Sequence, residues 1–276
     1  MCPCHNTAPS LSSELARHST IKKAGRLSKE INESSGLIAL DSSTFLTHND
    51  GGGKAELYKV NANGKMLETY KLSNTNTDWE EITRNQSGQF FIGDFGNNSN
   101  VRKDLCIYKI NNHLDSILQK INFQFEDQVA FPPKRRERNF DCEAFFAIGD
   151  SLFLFSKNRS KEKVKVYVLD QYGVQQTARV NQTLDLKGMV TGCSYSAATN
   201  VCAILTYGEV LFYKLECTNG TIKFRYIDCR KFPGSGQSEA ISFVNDSLLA
   251  ITNEGSRLFY LRLKKNVGGI DDTSKE

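Results

Sequence analysis

The sequence predicts an all-β chain folded as a five-bladed β-propeller of four-stranded antiparallel blades, and three observations predict it. A strand–turn–strand pattern recurs along the chain, helical 3.6-residue periodicity is almost absent, and 17 Phe and 10 Tyr stand against 3 Met and 5 Pro, a balance that favours strands. Taking Ser35, Glu80, Glu143, Thr191 and Glu239 as equivalent, the repeats are spaced by 45, 63, 48 and 48 residues. Four short strands every 45–50 residues is the pattern of a propeller blade.

In chain order, residues 1–20 read as a flexible polar leader and 21–27 as a strand that supplies the missing outer strand of the last blade. Closing the ring in this way removes two unpaired sheet edges. The first unit runs from Ser35 through Phe45–Asp50 to a third strand at Leu57–Val60, then turns at Asn63-Gly64 into a fourth. The second holds Asp78-Trp79-Glu80-Glu81-Ile82, Phe90–Asp94 and Cys106–Ile110, with Leu114–Lys120 as the one short stretch that reads as helix. The third holds Asp141–Phe145, Leu152–Asn158 and Val164–Val168; for sixteen residues it aligns without a gap with the fifth, which holds Ser238–Ser242, Leu248–Glu254 and Leu258–Arg262. The fourth has Thr191-Gly192 in place of an acidic start. The propeller domain is thus assigned to 21–263 and a flexible tail to 264–276, with six blades as the fallback if a divergent blade hides in the 63-residue spacing.

Net charge is +4 (35 basic and 31 acidic residues), too balanced to point to nucleic acid. No run of about 18 apolar residues is present, so no transmembrane segment is predicted. Eight Cys carry no CxxC or zinc-finger spacing, and most are expected to be free thiols, with Cys142, Cys193 and Cys202 packed as small hydrophobes. Cys2 and Cys4 precede a polar tether and allow a lipid anchor, although no apolar signal segment precedes them.

Propeller geometry places the start of each first strand and the end of each second strand on one face. Asp78, Glu80, Glu81, Asp141, Glu143 and Glu239 therefore converge on one channel mouth, joined by His48, Asn49, Asp50, Asp94 and Asn158. Carboxylates and amides are hard ligands suited to Ca²⁺, less well to Mg²⁺, and like charges so gathered call for a cation. Glu80, Glu143, Glu239, Asp78 and Asp141 are the metal candidates. The long second spacing reads as an insertion at 124–138 carrying Lys134, Arg135, Arg136 and Arg138, which could meet an anionic ligand.

The motifs Glu33–Leu37, His48-Asn49-Asp50, Asp78–Ile82, Phe91–Asn97 and Asp141–Ala144 resemble the SdiA-regulated family of exported bacterial propellers. That resemblance implies a five-bladed propeller with a Ca²⁺ site, distantly similar in form to the alkaline phytases, and places the metal role on Glu80 and Glu143. It also implies a cell-envelope or periplasmic location; the chain as given leaves the cytoplasm open. Two functions compete. The favoured one is a Ca²⁺-stabilised monomer that presents a ligand- or partner-binding face without catalysis. The alternative is a metal-dependent hydrolase, phosphoesterase-like or lactonase-like, acting at the acidic mouth.

Overall fold

The computed structural model describes residues 19–157, 159, 163–232 and 236–263. The first strand of the chain, β1 (Thr20–Arg26), pairs antiparallel with the last, β20 (Arg257–Arg262), from Thr20 opposite Arg262 to Arg26 opposite Arg257. That sheet continues through β19 (Leu248–Asn253) to β18 (Ser238–Asn245). A second four-stranded sheet is β2 (Ser34–Ala39), β3 (Thr44–Asn49), β4 (Glu56–Asn61) and β5 (Met66–Lys71). A third is β14 (Val190–Ser196), β15 (Val201–Thr206), β16 (Glu209–Thr218) and β17 (Thr221–Lys231).

The remaining strands form one eight-stranded sheet. Its halves are antiparallel units, β6 (Trp79–Arg84), β7 (Phe90–Asp94), β8 (Cys106–Ile110) and β9 (Ile117–Phe125), then β10 (Cys142–Ile148), β11 (Ser151–Ser156), β12 (Val164–Asp170) and β13 (Gln175–Leu184). They join through a parallel pairing of their outermost strands, Gln175–Ala178 against Asn122–Phe125. The repeat pattern does not announce that seam, because it is a contact between the ends of two units. The stretch read as helical from Leu114 is instead a turn followed by β9, and Leu114 takes a left-handed φ of 63° there. Among the described residues the helical content reduces to a 3-10 turn at Arg135–Glu137.

Middle strands are apolar on both sides because sheets stack on both of their faces. β11, Ser-Leu-Phe-Leu-Phe-Ser, is buried from Leu152 onward. Outer strands such as β5 expose every residue at least partly. The core therefore lies between neighbouring units. Phe91, Phe123 and Phe145 pack between the halves of the eight-stranded sheet, whereas Phe146, Phe155 and Phe224 pack between β10–β13 and β14–β17. Phe45, Val60, Ala240 and Leu258 lock the last unit onto the first. Each buried Phe contributes roughly 1.5–3 kcal/mol of apolar burial.

The first strands β2, β6, β10, β14 and β18 each contact the next, and β18 contacts β2. All-β content, stacked four-stranded units and a closed circle of innermost strands make this a β-propeller-like fold. No helix among the described residues is long and apolar enough to cross a membrane.

Candidate metal centre at the acidic channel mouth

The same irregularity marks the start of every innermost strand. The register shifts between Ser34 and Gly36, Trp79 and Glu81, Cys142 and Ala144, Val190 and Gly192, and Ser238 and Ala240. The residues passed over are Ser35, Glu80, Glu143, Thr191 and Glu239, which are the repeat-equivalent positions. A bulge leaves its extra residue outside the ladder and re-aims its side chain. Here it directs one side chain per unit to the same end of the channel.

Glu80 meets two further acids there. Asp50 follows the end of β3, Asp78 precedes β6, and one carboxylate oxygen from each of Asp50, Asp78 and Glu80 lies within 4.8 Å of the others. Oxygens sharing a Ca²⁺ at about 2.3–2.6 Å each are separated by no more than roughly 5 Å, so the three fit one ion. Two glycines make the approach possible. A Cβ on Gly96 would sit 2.1 Å from Glu80 Oε1 and 2.4 Å from Asp78 Oδ2, and one on Gly51 would sit 2.3 Å from Asp78 Oδ1. Ser35 Oγ donates to the Glu80 carbonyl at 2.9 Å and reaches its Oε2 at 3.4 Å. Asn76 Nδ2 donates to the Asp50 carbonyl at 2.9 Å and fixes that loop.

Electrostatics agree with geometry. Burial, then the neighbouring Asp50 charge, raises the Asp78 carboxyl to about 6. Burial, then Glu143, Asp50 and other acids, pushes Glu80 well above the usual carboxylate range, and burial raises Asp50 too. Three carboxyls that resist ionisation beside one another are stabilised by a shared divalent cation. The donor set therefore fits a hard ion.

The other side of the mouth is arranged differently. Lys157 Nζ lies 2.6 Å from Glu143 Oε1, with Lys157 and Glu143 both buried. Arg159 Nε donates to Asp141 Oδ2 at 2.5 Å, and its Nη2 lies 3.7 Å from Glu143 Oε1. Asp141 Oδ1 also accepts the Asn97 amide at 2.8 Å. Tyr207 donates its hydroxyl to Glu239 Oε1 at 3.0 Å and its ring lies 5.7 Å from Lys157 Nζ. Burial, then Asp141, raises Glu143 against the opposing pull of Lys157, and burial raises Glu239 to about 7.

Of the acids proposed from the sequence as metal ligands, Asp78 and Glu80 join Asp50, whereas Asp141, Glu143 and Glu239 already hold a cation or a hydroxyl. Asp94 accepts Arg102 at 2.9 Å and the Asp78 amide at 3.1 Å, which makes it a brace behind the site. His48 is fully buried, with Nδ1 2.9 Å from the Asn49 carbonyl and its ring edge-on to Trp79 at 5.6 Å; burial lowers its pKa to about 4. Asn49 Nδ2 donates to the Glu30 carbonyl at 2.8 Å. Arg136 faces Glu137 at 3.5 Å and Arg138 Nε the Pro133 carbonyl at 3.4 Å; Arg135 is exposed beside them. Among the described residues none of these three reaches a mouth carboxylate. Asn158 lies outside the described residues.

Lys157, Arg159 and Tyr207 escaped the sequence reading. The available signal was the gapless alignment of the third and fifth units, which puts Lys157 where the fifth has Asn253. A basic residue at an otherwise amide position marks the neutralised side of the mouth.

No protein-family model and no curated protein matches the chain. Solved structures do. The PQQ-bound aldose sugar dehydrogenase of Streptomyces coelicolor superposes with a TM-score of 0.55 at 9% identity, covering 91% of this chain and 100% of that one. The apo aldose sugar dehydrogenase of Escherichia coli gives 0.50 at 9%, over 89% and 99%. A gluconolactonase of Xanthomonas campestris gives 0.47 at 10%, over 95% and 97%. The two dehydrogenases support the β-propeller-like fold assigned above from the strands.

Proposed function

We propose that the chain is a five-bladed propeller hydrolase that uses a divalent cation, Ca²⁺ by preference, to open a small uncharged ester or lactone at the acidic mouth. The blade count takes the eight-stranded sheet as two blades joined at their rims by β9 and β13, so that each innermost strand belongs to its own blade. The observation that carries the proposal is the convergence of Asp50, Asp78 and Glu80 on one point. A cation held there would polarise a substrate carbonyl.

The chain's own residues supply the rest. Glu239, titrating near 7 and oriented by Tyr207, is suited to accept a proton from an attacking water. Lys157 and Arg159 keep Glu143 and Asp141 from competing for the ion. Charge selects the substrate class. Asp50, Asp78, Glu80, Asp141, Glu143 and Glu239 against Lys157 and Arg159 leave −4 when all are ionised, and a divalent ion brings this to −2. A phosphoester would be repelled, so the lactonase form of the hydrolase reading is preferred to the phosphoesterase form.

The test is turnover of a panel of lactones and of p-nitrophenyl phosphate, with Ca²⁺ or with chelator. Lactone opening that needs Ca²⁺, is lost in Glu80→Gln together with Ca²⁺ binding, and is lost in Glu239→Gln with Ca²⁺ binding intact supports the assignment. Ca²⁺ binding without turnover of any ester would leave the mouth as a binding face.

A further inference from the structure

At the opposite end of the channel the far ends of the innermost strands enclose a cavity of about 310 Å³. Behind this lining lies Glu81, which is fully buried and accepts the amides of Cys193 and Ile82, both cavity-lining residues. The cavity is therefore set off from the acidic mouth. Its chemistry is also of opposite sign. Arg84 is the one charged side chain in the lining, and among the described residues it has no ion-pair partner; its guanidinium lies over the Phe90 ring at 5.6 Å.

The remaining wall mixes the Tyr195 ring with polar side chains, among them Thr83, Asn85, Gln86 and Ser242. The half-buried Tyr195 lines the cavity, and its ring is backed at 5.3 Å and an interplanar angle of 18° by Phe146, which is itself buried in the core between units. Ser194 Oγ accepts the Phe243 amide at 3.0 Å, and among the described residues its own proton has no acceptor. Tyr195 spends its hydroxyl proton on Asn200 Oδ1 at 2.8 Å, so its contribution to the cavity is the ring.

We propose that this cavity is a second ligand site, distinct from the mouth, that takes a small aromatic carboxylate. The carboxylate meets Arg84 and the Ser194 hydroxyl, and the ring lies along the Tyr195 ring. A guanidinium fork matches a carboxylate bidentately, and Arg84, exposed and without an ion-pair partner among the described residues, is free to offer it. The volume stands at the lower end of small-molecule pockets, which suits a single ring with short substituents. Nothing in this inference depends on the hydrolase reading.

The experiment is ¹⁹F NMR titration of the full chain with 4-fluorobenzoate and with its neutral isostere 4-fluorobenzamide. Binding of the carboxylate at least tenfold tighter than the amide is expected, unchanged by chelator and by Glu80→Gln. Arg84→Gln should erase that preference, and Arg84→Lys should keep part of it, with circular dichroism melting verifying that both variants fold. Absence of saturable binding, equal affinity of wild type and Arg84→Gln for the carboxylate, or loss of binding in Glu80→Gln would each overturn the proposal.

Discussion

Glu81 on β6 reaches across the channel to β14, where its Oε2 accepts the backbone amide of Cys193 at 3.2 Å. Its Oε1 accepts the Ile82 amide at 3.1 Å, and the whole residue is buried. A carboxyl placed with Glu80 at the mouth on the strength of adjacency is thus a tie across the channel, because the bulge at Glu80 turns consecutive side chains to different levels. Glu81→Ala leaves two buried amides without acceptors, each costing about 1–3 kcal/mol. A loss of roughly 2–6 kcal/mol in urea denaturation is expected, with Ca²⁺ affinity unchanged. A neutral substitution would mean that water replaces the tie.

The pairing of β1 with β20 makes a second prediction. Without residues 1–28, β20 becomes an open edge carrying Leu258, Phe259 and Leu261, all buried in the intact chain. The truncated protein should aggregate during expression. A soluble 29–276 fragment with an unchanged melting temperature would show that β1 contributes nothing to the ring.

Much of this was legible in the sequence, and the limits have physical causes. The repeat exposed Ser35, Glu80, Glu143, Thr191 and Glu239 as equivalent, and the bulges fall on those residues. Strand alternation cannot reveal a bulge, so the opposite fates of Glu80 and Glu81 were hidden. Lys157 and Arg159 were missed because like-charge crowding was read from acids alone, whereas the structure neutralises Asp141 and Glu143 internally. His48 and Asp94 looked available because both end second strands; burial against Trp79 and pairing with Arg102 decide otherwise.

The raised carboxyls carry a pH dependence of defined sign. Asp78 at about 6 and Glu239 at about 7 bind protons more tightly in the folded chain than in the unfolded one, where carboxyls titrate near 4. Their contribution is complete below pH 4 and lost as pH rises through 6 to 7, at up to about 1.4 kcal/mol per pH unit for each proton. Metal-free protein should therefore be less stable at pH 8 than at pH 5, and Ca²⁺ should recover part of the loss by replacing the protons on the triad. Urea midpoints at the two pH values, with chelator and with Ca²⁺, measure it; a flat profile in chelator would exclude these shifts.

Lys157 and Glu143 form a buried pair at 2.6 Å. Lys157→Met leaves Glu143 beside Asp141 with its nearest compensation removed, a change that typically costs about 3–5 kcal/mol. Lys157→Met/Glu143→Gln removes both charges and should recover most of that loss. A double-mutant cycle by urea denaturation reads the coupling directly, and additive single effects would mean that Lys157 acts elsewhere.

Gly96 offers the sharpest separation of cation binding from folding. It follows β7, and its amide donates to the Asp78 carbonyl at 3.2 Å, which draws the loop against the triad. A Cβ at this position would overlap Glu80 Oε1 at 2.1 Å and the Asp78 carboxylate at 2.4 Å. Contacts under 3.0 Å cannot persist, so Gly96→Ala must displace the two side chains or the loop. Displaced carboxylates no longer share one ion, and Ca²⁺ affinity should fall by at least tenfold. The like charges also move apart, which offsets part of the steric strain, so metal-free stability should change by no more than about 1 kcal/mol. Calorimetric Ca²⁺ titration beside urea denaturation in chelator distinguishes the two effects. Undiminished Ca²⁺ affinity in Gly96→Ala would place the ion away from Asp78 and Glu80.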